Sequence, residues 1–223
     1  MTEQLPLVVA RRSPPSLQDF VVGSNAAALD ALRSERGALF LTGPAGVGKS
    51  HLLRARARAR PGALCLSGLS LAETPQVLDG AEAASWLGID DVDCLGGKDE
   101  AATALLRVID ARNATGLPIV ISSRHEPAAL ADLLRDLRTR LTQCALYRLR
   151  PLDEQALRDW LRLRAEQRGL ALADAAVDWM LRHLRRDPGA LEVALERLDI
   201  AALAAKRGRV SAPFARSVLG GAL

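Results

Sequence analysis

At 223 residues with 49% apolar side chains, the chain has material for one large domain, or one domain with a small one appended, and for a real core. A net charge of +4 permits weak direct DNA contact without requiring it. No signal peptide opens the sequence and no apolar run nears the roughly 18 residues of a membrane span, so a cytoplasmic protein is expected. Cys65, Cys94 and Cys144 are odd in number, far apart and set in apolar runs, which argues for reduced, buried thiols and against a disulfide or metal framework.

Residues 1–19 carry Pro6, Pro14, Pro15 and the Arg11–Arg12 pair and read as a tail. An Ala-rich helix is predicted over 25–35, with Ser24 or Asn25 as its N-cap. Strands and helices then alternate. ALFLTG (38–43) reads as a buried strand, and a helix starts inside the GKS segment and runs to Arg58. ALCLSG (63–68) and WLGIDD (86–91) are the next strands, the second ending in two acids. A helix over 100–114, a strand over 118–122, a helix over 127–141 and a strand over 145–149 complete the alternation. From Pro151 onward the period becomes helical throughout, over 153–169, 172–184, 188–204 and 211–219, with a strand signal only around Val210. The fold class is therefore α/β, a P-loop NTPase with a five-stranded parallel sheet between helices over 20–150. A small all-helical domain follows over 151–223.

GPAGVGKS matches G-x-x-x-x-G-K-[ST] from Gly43 to Ser50, between a strand and a helix as the motif requires. Gly43, Gly46 and Gly48, with Pro44, Ala45 and Val47 between them, let the backbone wrap a phosphate chain. The exposed N–H groups and the helix start at Lys49, Ser50 and His51 supply positive potential. Lys49 is expected to reach the outer phosphates of ADP or ATP, and the Ser50 hydroxyl to ligate Mg2+. Asp90 is the second candidate for Mg2+, mainly through water, and Asp91, one residue further along the strand edge, is a candidate general base. Ser122 and Ser123 end the next strand, either orienting a water or capping the turn. Arg140 lies in an Arg-rich helix, either a solvated charged face or an arginine finger aimed at a neighbour's phosphates. Arg186 either decorates a helix start or folds back onto a nucleotide. Gln4, Leu5 and Leu7 form an apolar patch in the tail, meaningless by itself or able to dock in a partner's groove as an extended peptide.

DFVVGSNAAAL (19–29), GPAGVGKSHLL (43–53) and IDDVDCL (89–95) together resemble the AAA+ domain of the bacterial replication initiator DnaA. LYRLRPLDEQALRDWLRLRAEQRGLAL (146–172), RDPGALEVALERLD (186–199) and QLPL resemble the regulatory branch of that family, which inactivates the initiator once replication has started and lacks its DNA-binding domain. The resemblance spans about 20–219. It implies that Phe20, Val21, Val22 and Gly23 line an adenine pocket, that Arg140 is the arginine finger, and that Arg186 reaches nucleotide from a lid. It also implies that Gln4, Leu5 and Leu7 bind the DNA polymerase sliding clamp and that DnaA is the partner. Arg124 stands where the family tends to have an acid, and Asp91 is an acid where regulators of this branch carry an amide. The implied function is a switch that restrains replication initiation by stimulating ATP hydrolysis on DnaA. A self-contained ATPase such as a helicase loader and a non-catalytic adaptor for DnaA are the alternatives, and self-association stays open.

Overall fold

A computed structural model describes residues 16–34 and 37–220. Gln4, Leu5 and Leu7 lie outside the described residues. The chain divides into two compact units, one ending at Pro151 and the other beginning at Leu152.

The first unit is a three-layer sandwich. Strands β1 (Ala38–Thr42), β2 (Ala63–Ser67), β3 (Trp86–Asp90), β4 (Ile119–Ser123) and β5 (Ala145–Arg148) pair in parallel in the order β2-β3-β4-β1-β5. Period-2 alternation sorts their side chains onto two faces. Phe40, Leu87, Ile89, Ile119 and Ile121 pack into one core with α4 (Asp99–Thr115) and α5 (Arg135–Thr142), while Leu39, Leu41, Trp86 and Val120 pack into the other with α1 (Ala26–Ser34) and α2 (Lys49–Arg58). The inner strands β3 and β4 are buried at every position, whereas the edges β2 and β5 are half-exposed.

Two elements differ from the sequence reading. A short helix, α3 (Gly68–Glu73), follows β2 directly, capped by the Ser67 hydroxyl on the Ser70 N–H. The helix expected over 127–141 is instead a 3-10 turn at Pro127–Ala129, a break, and then α5. Its spacing is helical, but Leu130 and Leu133 both turn into the core and the Asp132 carbonyl accepts from the Gly97 N–H at 2.9 Å, so a tertiary partner takes a bond that a continuous helix would use.

The second unit contains α6 (Glu154–Glu166), α7 (Asp174–His183), α8 (Pro188–Ala204) and α9 (Ala212–Leu219). Asp153, Asp187 and Ser211 cap α6, α8 and α9 with side-chain oxygens, and Pro188 and Pro213 occupy first-turn positions that need no N–H. Leu161, Val177, Met180, Leu195 and Leu198 are fully buried. The unit also holds a two-residue parallel ladder, β6 (Ala171–Leu172) with β7 (Arg209–Val210), the second at the strand signal around Val210 and the first too short for a period to announce. Among the described residues no helix is long and apolar enough to cross a membrane.

Candidate functional site

The site is built at the C-terminal edge of the five-stranded sheet, where open parallel sheets hold ligands. After Thr42 the chain turns through Gly43–Gly48 into α2. Val47 is buried in the core and anchors the turn, leaving Pro44, Ala45 and Gly46 exposed as its crown. Gly48 has φ 105°, and the Phe20 ring lies so close that a Cβ there would sit 2.8 Å from Cε2. Only glycine fits both constraints. The Lys49 side chain is buried, and its ammonium donates to the Gly43 and Pro44 carbonyls at 2.7 and 3.1 Å. Burial lowers its pKa, against the raising influence of Asp91, Asp90 and Asp93. Ser50 follows in the first turn of α2.

The acids lie beside this turn. Asp90 is buried at the end of β3, and the fully buried Ser122 hydroxyl donates to its Oδ1 at 2.7 Å while accepting from the Asp91 N–H at 3.0 Å. Ser122 thus ties both acids to β4. Ser123 instead accepts from the His125 N–H and caps the turn. Asp91 adopts φ 56°, and Gly68 presses against its carbonyl so closely that any Cβ would overlap it. Burial raises the Asp91 pKa, with Asp90 and Asp93 adding to the effect and Lys49 and Arg124 opposing it. A carboxylate with a raised pKa beside a phosphate cradle has the chemistry of a proton acceptor. Arg54, one turn along α2, comes within 3.9 Å of Asp90 Oδ2, a contact that no motif announces.

Residues 16–25 cross the start of α2. The Phe20 ring lies 6.1 Å from that of His51, and His51 Nε2 is 3.0 Å from the Ser16 carbonyl. His51 therefore fastens this strap through its ring. Phe20 and Val22 pack on the core, Val21 is half-buried and Gly23 is exposed. Asn25 holds the N-cap position of α1, its carbonyl accepting from the Leu29 N–H at 3.2 Å, while its side chain reaches elsewhere. Its amide donates to the Arg150 carbonyl at 2.9 Å and accepts from the Arg150 N–H at 2.8 Å, joining positions 125 apart in sequence.

Arg140 belongs to a different place. Its helix runs back from the end of β4 to the start of β5, whose first residue, Ala145, pairs with Leu39 near the beginning of β1. The P-loop follows the other end of β1, about 13 Å away at the rise of an extended strand. Arg140 Nε lies 2.7 Å from Asp110 Oδ1, and Nη1 donates to Gln143 Oε1 at 2.8 Å, with 37% of the side chain exposed. In the second unit, Arg186 Nε donates to the Leu181 carbonyl at 3.0 Å and Nη1 is 3.7 Å from Glu154.

The Ser50 hydroxyl and the Asp90 carboxylate are hard oxygen donors, which suits Mg2+. The described residues form no cluster of three or more His, Cys, Asp or Glu able to hold a metal by themselves. Mg2+ ordinarily keeps several of its waters and is completed by substrate phosphates. Bound there, Mg2+ would supply charge neutralisation to those phosphates.

A P-loop after β1, acids at the end of β3 and a helical second unit define an AAA+ nucleotide-site architecture. Residues 153–219 match the Hda lid-domain family. The chain is 31% identical to an uncharacterised protein of Haemophilus influenzae, over 98% of its own length and 99% of the relative's. Domain III of the Thermotoga maritima replication initiation protein DnaA superposes with a TM-score of 0.79 at 22% identity, covering 92% of this chain and 95% of that one. AMPPCP-bound DnaA of Aquifex aeolicus gives 0.73 at 20% identity, over 83% of this chain and 65% of that one. The RuvB Holliday junction branch migration motor of Thermotoga maritima gives 0.69 at 18%, over 93% and 72%. The chain belongs to the Hda/DnaA-related family of AAA+ proteins.

Proposed function

We propose that this protein is a nucleotide-held switch that restrains replication initiation by stimulating ATP hydrolysis on DnaA. ADP or ATP with Mg2+ occupies the Gly43–Ser50 cradle, with Phe20, Val21 and Val22 against the base. Lys49 binds the outer phosphates, and Arg186 contacts the nucleotide from the lid. The AMPPCP-bound Aquifex relative supports a nucleoside triphosphate as ligand. Arg140 then acts in trans on the phosphates held by DnaA. Gln4, Leu5 and Leu7 tether the protein to the sliding clamp, raising its effective concentration at DNA.

One observation carries the trans reading: Arg140 sits at the strand-start edge of the sheet, and its partners are Asp110 and Gln143, neither of them in the P-loop or among the acids that follow β3. A guanidinium there has no path to the phosphates of its own chain, but a second AAA+ unit docked on that edge could receive it. Such a finger contributes about 10³–10⁵ in rate. The test is hydrolysis by DnaA–ATP with DNA-loaded clamp and this protein. Arg140→Ala is expected to abolish stimulation, and unchanged stimulation refutes the reading. Substituting Gln4 and Leu5 by alanine should remove the dependence on clamp.

A second reading is favoured by the placement of Asp91, directly after β3 with its N–H held by the Ser122 hydroxyl at 3.0 Å. It makes the protein an ATPase by itself, with Asp91 activating water. Turnover by the isolated protein that is lost in Asp91→Asn would support it, and absence of such turnover rejects it.

A further inference from the structure

Residues 200–223 hold Lys206, Arg207, Arg209 and Arg216 and no acid, so the chain's net charge of +4 falls in this segment and the rest is balanced. The structure gathers these cations with Arg197 in the second unit. α9 folds back along α8: the Arg207 guanidinium lies over the Phe214 ring, 5.3 Å from its centroid, and Arg197 Nη2 donates to the Val218 carbonyl at 2.9 Å. Arg209 stands in β7, between the two helices in sequence. All five residues are exposed. Other arginines of this unit are paired, Arg162 with Asp174 and Arg164 and Arg168 with Glu192. Among the described residues no carboxylate pairs with these five.

The backbone presents one of them at a cost. α8 stops with the Lys206 N–H donating to the Leu203 carbonyl at 3.1 Å and the Arg207 N–H to the Ala202 carbonyl at 2.8 Å, a closure that holds Lys206 at φ 52°. That left-handed position suits glycine or asparagine, and the chain uses Gly116 and Gly169, at φ 70° and 72°, after α4 and α6. The helix dipole favours a cation at the end of α8, but it gives no reason for Arg209, which lies outside any helix. Gly208 leaves the loop open, since a Cβ there would meet nothing within 4 Å. Arg197 and Lys206 are separated by about 14 Å of helix. Duplex DNA carries a charge every ~1.7 Å of its axis, about eight over that length, so even the half that faces a protein matches the cations. Guanidiniums suit paired phosphate oxygens.

We propose that this basic ridge of the second unit, Arg197, Lys206, Arg207, Arg209 and Arg216, docks on the phosphate backbone of duplex DNA without reading its sequence. The inference goes beyond the proposed switch and needs neither a bound nucleotide nor the clamp.

The test is the anisotropy of a labelled duplex of mixed sequence, titrated with the full chain between about 50 and 200 mM salt. Binding is expected at the low end, with log affinity falling against log salt at a slope of about −4. Arg209→Gln with Arg216→Gln is expected to weaken it about a hundredfold at about 50 mM salt and to reduce the slope by about 2. Arg33→Gln with Arg107→Gln, at exposed positions of the first unit, removes the same charge and should change affinity less than about threefold. Lys206→Asn removes a charge while easing the backbone, so it should weaken duplex binding without lowering thermal stability. A purely structural lysine would show the reverse. No binding at low salt, an unchanged slope in the Arg209 and Arg216 variant, or an equal loss in the control pair overturns the proposal. Ile200 and Leu203 stand exposed on α8, so vesicles containing phosphatidylglycerol, and polyglutamate, are titrated in parallel. Ridge-dependent binding of either, with none of the duplex, assigns the surface to a membrane or an acidic protein and also overturns it.

Discussion

The two units of this chain treat buried polarity in opposite ways. In the α/β unit, Thr42, Lys49, Asp90, Ser122 and Ser123 are buried around the site, and Asn25, Arg56 and Arg112 are buried elsewhere. In the helical unit, no described polar or charged side chain is fully buried. Its ion pairs stay half-open, as with Glu192 between Arg164 and Arg168, at 3.2 and 2.6 Å, and Asp178 with Arg158. Buried polar groups cost stability unless fully partnered. The α/β unit accepts that cost because a phosphate site needs its lysine and acids fixed before ligand arrives. The lid needs only its apolar faces and caps.

Arg112 breaks this comparison most directly. It is fully buried, among the described residues no carboxylate pairs with it, and it donates to the carbonyls of Ala81, Glu82, Ala84 and Pro118. It staples the turn at Ala81–Ala83 and the entry to β4 onto α4. Arg112→Met keeps the bulk but strands those carbonyls, and it should cost about 3 kcal/mol in denaturant unfolding. A loss below about 1 kcal/mol would mean that water replaces the guanidinium and that the buried polarity of this unit is cheaper than argued.

In the lid the corresponding group is Glu192. Burial pushes its pKa up, but hydrogen bonds from Arg168 and Arg164 outweigh that and leave it lowered. A depressed carboxylate stabilises the fold above its unfolded value, about 4.3, and that stability is lost as pH falls through the lower folded value. Glu192→Gln should therefore cost about 1–2 kcal/mol at neutral pH and flatten the acid limb of the stability profile below about pH 4.3. An acid limb identical to that of the parent protein would remove Glu192 from the account.

Asp91 sharpens the contrast with the opposite sign. Its pKa is raised by burial and by Asp90 and Asp93, so the ionised form is disfavoured in the fold and stability falls as pH rises from the unfolded toward the folded value. Asp91→Asn should raise the stability of the ligand-free protein slightly at neutral pH, because it removes the disfavoured charge and asparagine also tolerates φ 56° at this position. Unfolding measured at pH 7 decides it, and a destabilised variant would show that the Asp91 carboxylate is structural.

What was legible in the sequence was what a local period or motif carries. The five strands, the P-loop turn and the helical tail of the chain all have such a signature, and even Ser122 could be named as a candidate from its place at a strand end. What escaped depends on partners far along the chain. Asn25 stands at the N-cap position as read, but nothing local shows that its amide goes to Arg150. The helix over 127–141 is broken by a bond to Gly97. Arg54 looks like surface charge until β3 brings Asp90 beside it, and Arg124, which the sequence marks only as a departure from the family, finds its partner Asp93 in the turn after β3. Arg112 lies among helix residues whose spacing gives no hint that its guanidinium faces inward. Spacing reports which face of an element is apolar, and it is silent about which polar atom that face will meet.

The smallest effect concerns Asp110. Its carboxylate and the Gln143 amide occupy the Arg140 guanidinium in the free chain, so a finger serving a second subunit must leave or share those partners. With 37% and 48% of the two side chains exposed, the pair is a solvent-screened one worth about 0.2–1 kcal/mol. Asp110→Ala should then lower the protein concentration giving half-maximal stimulation of DnaA hydrolysis by at most about fivefold, with the maximal rate unchanged. A fall in the maximal rate would assign Asp110 the opposite task. The carboxylate would then be aiming Arg140 outward, and the strand-start edge would already be set for docking before any partner arrives.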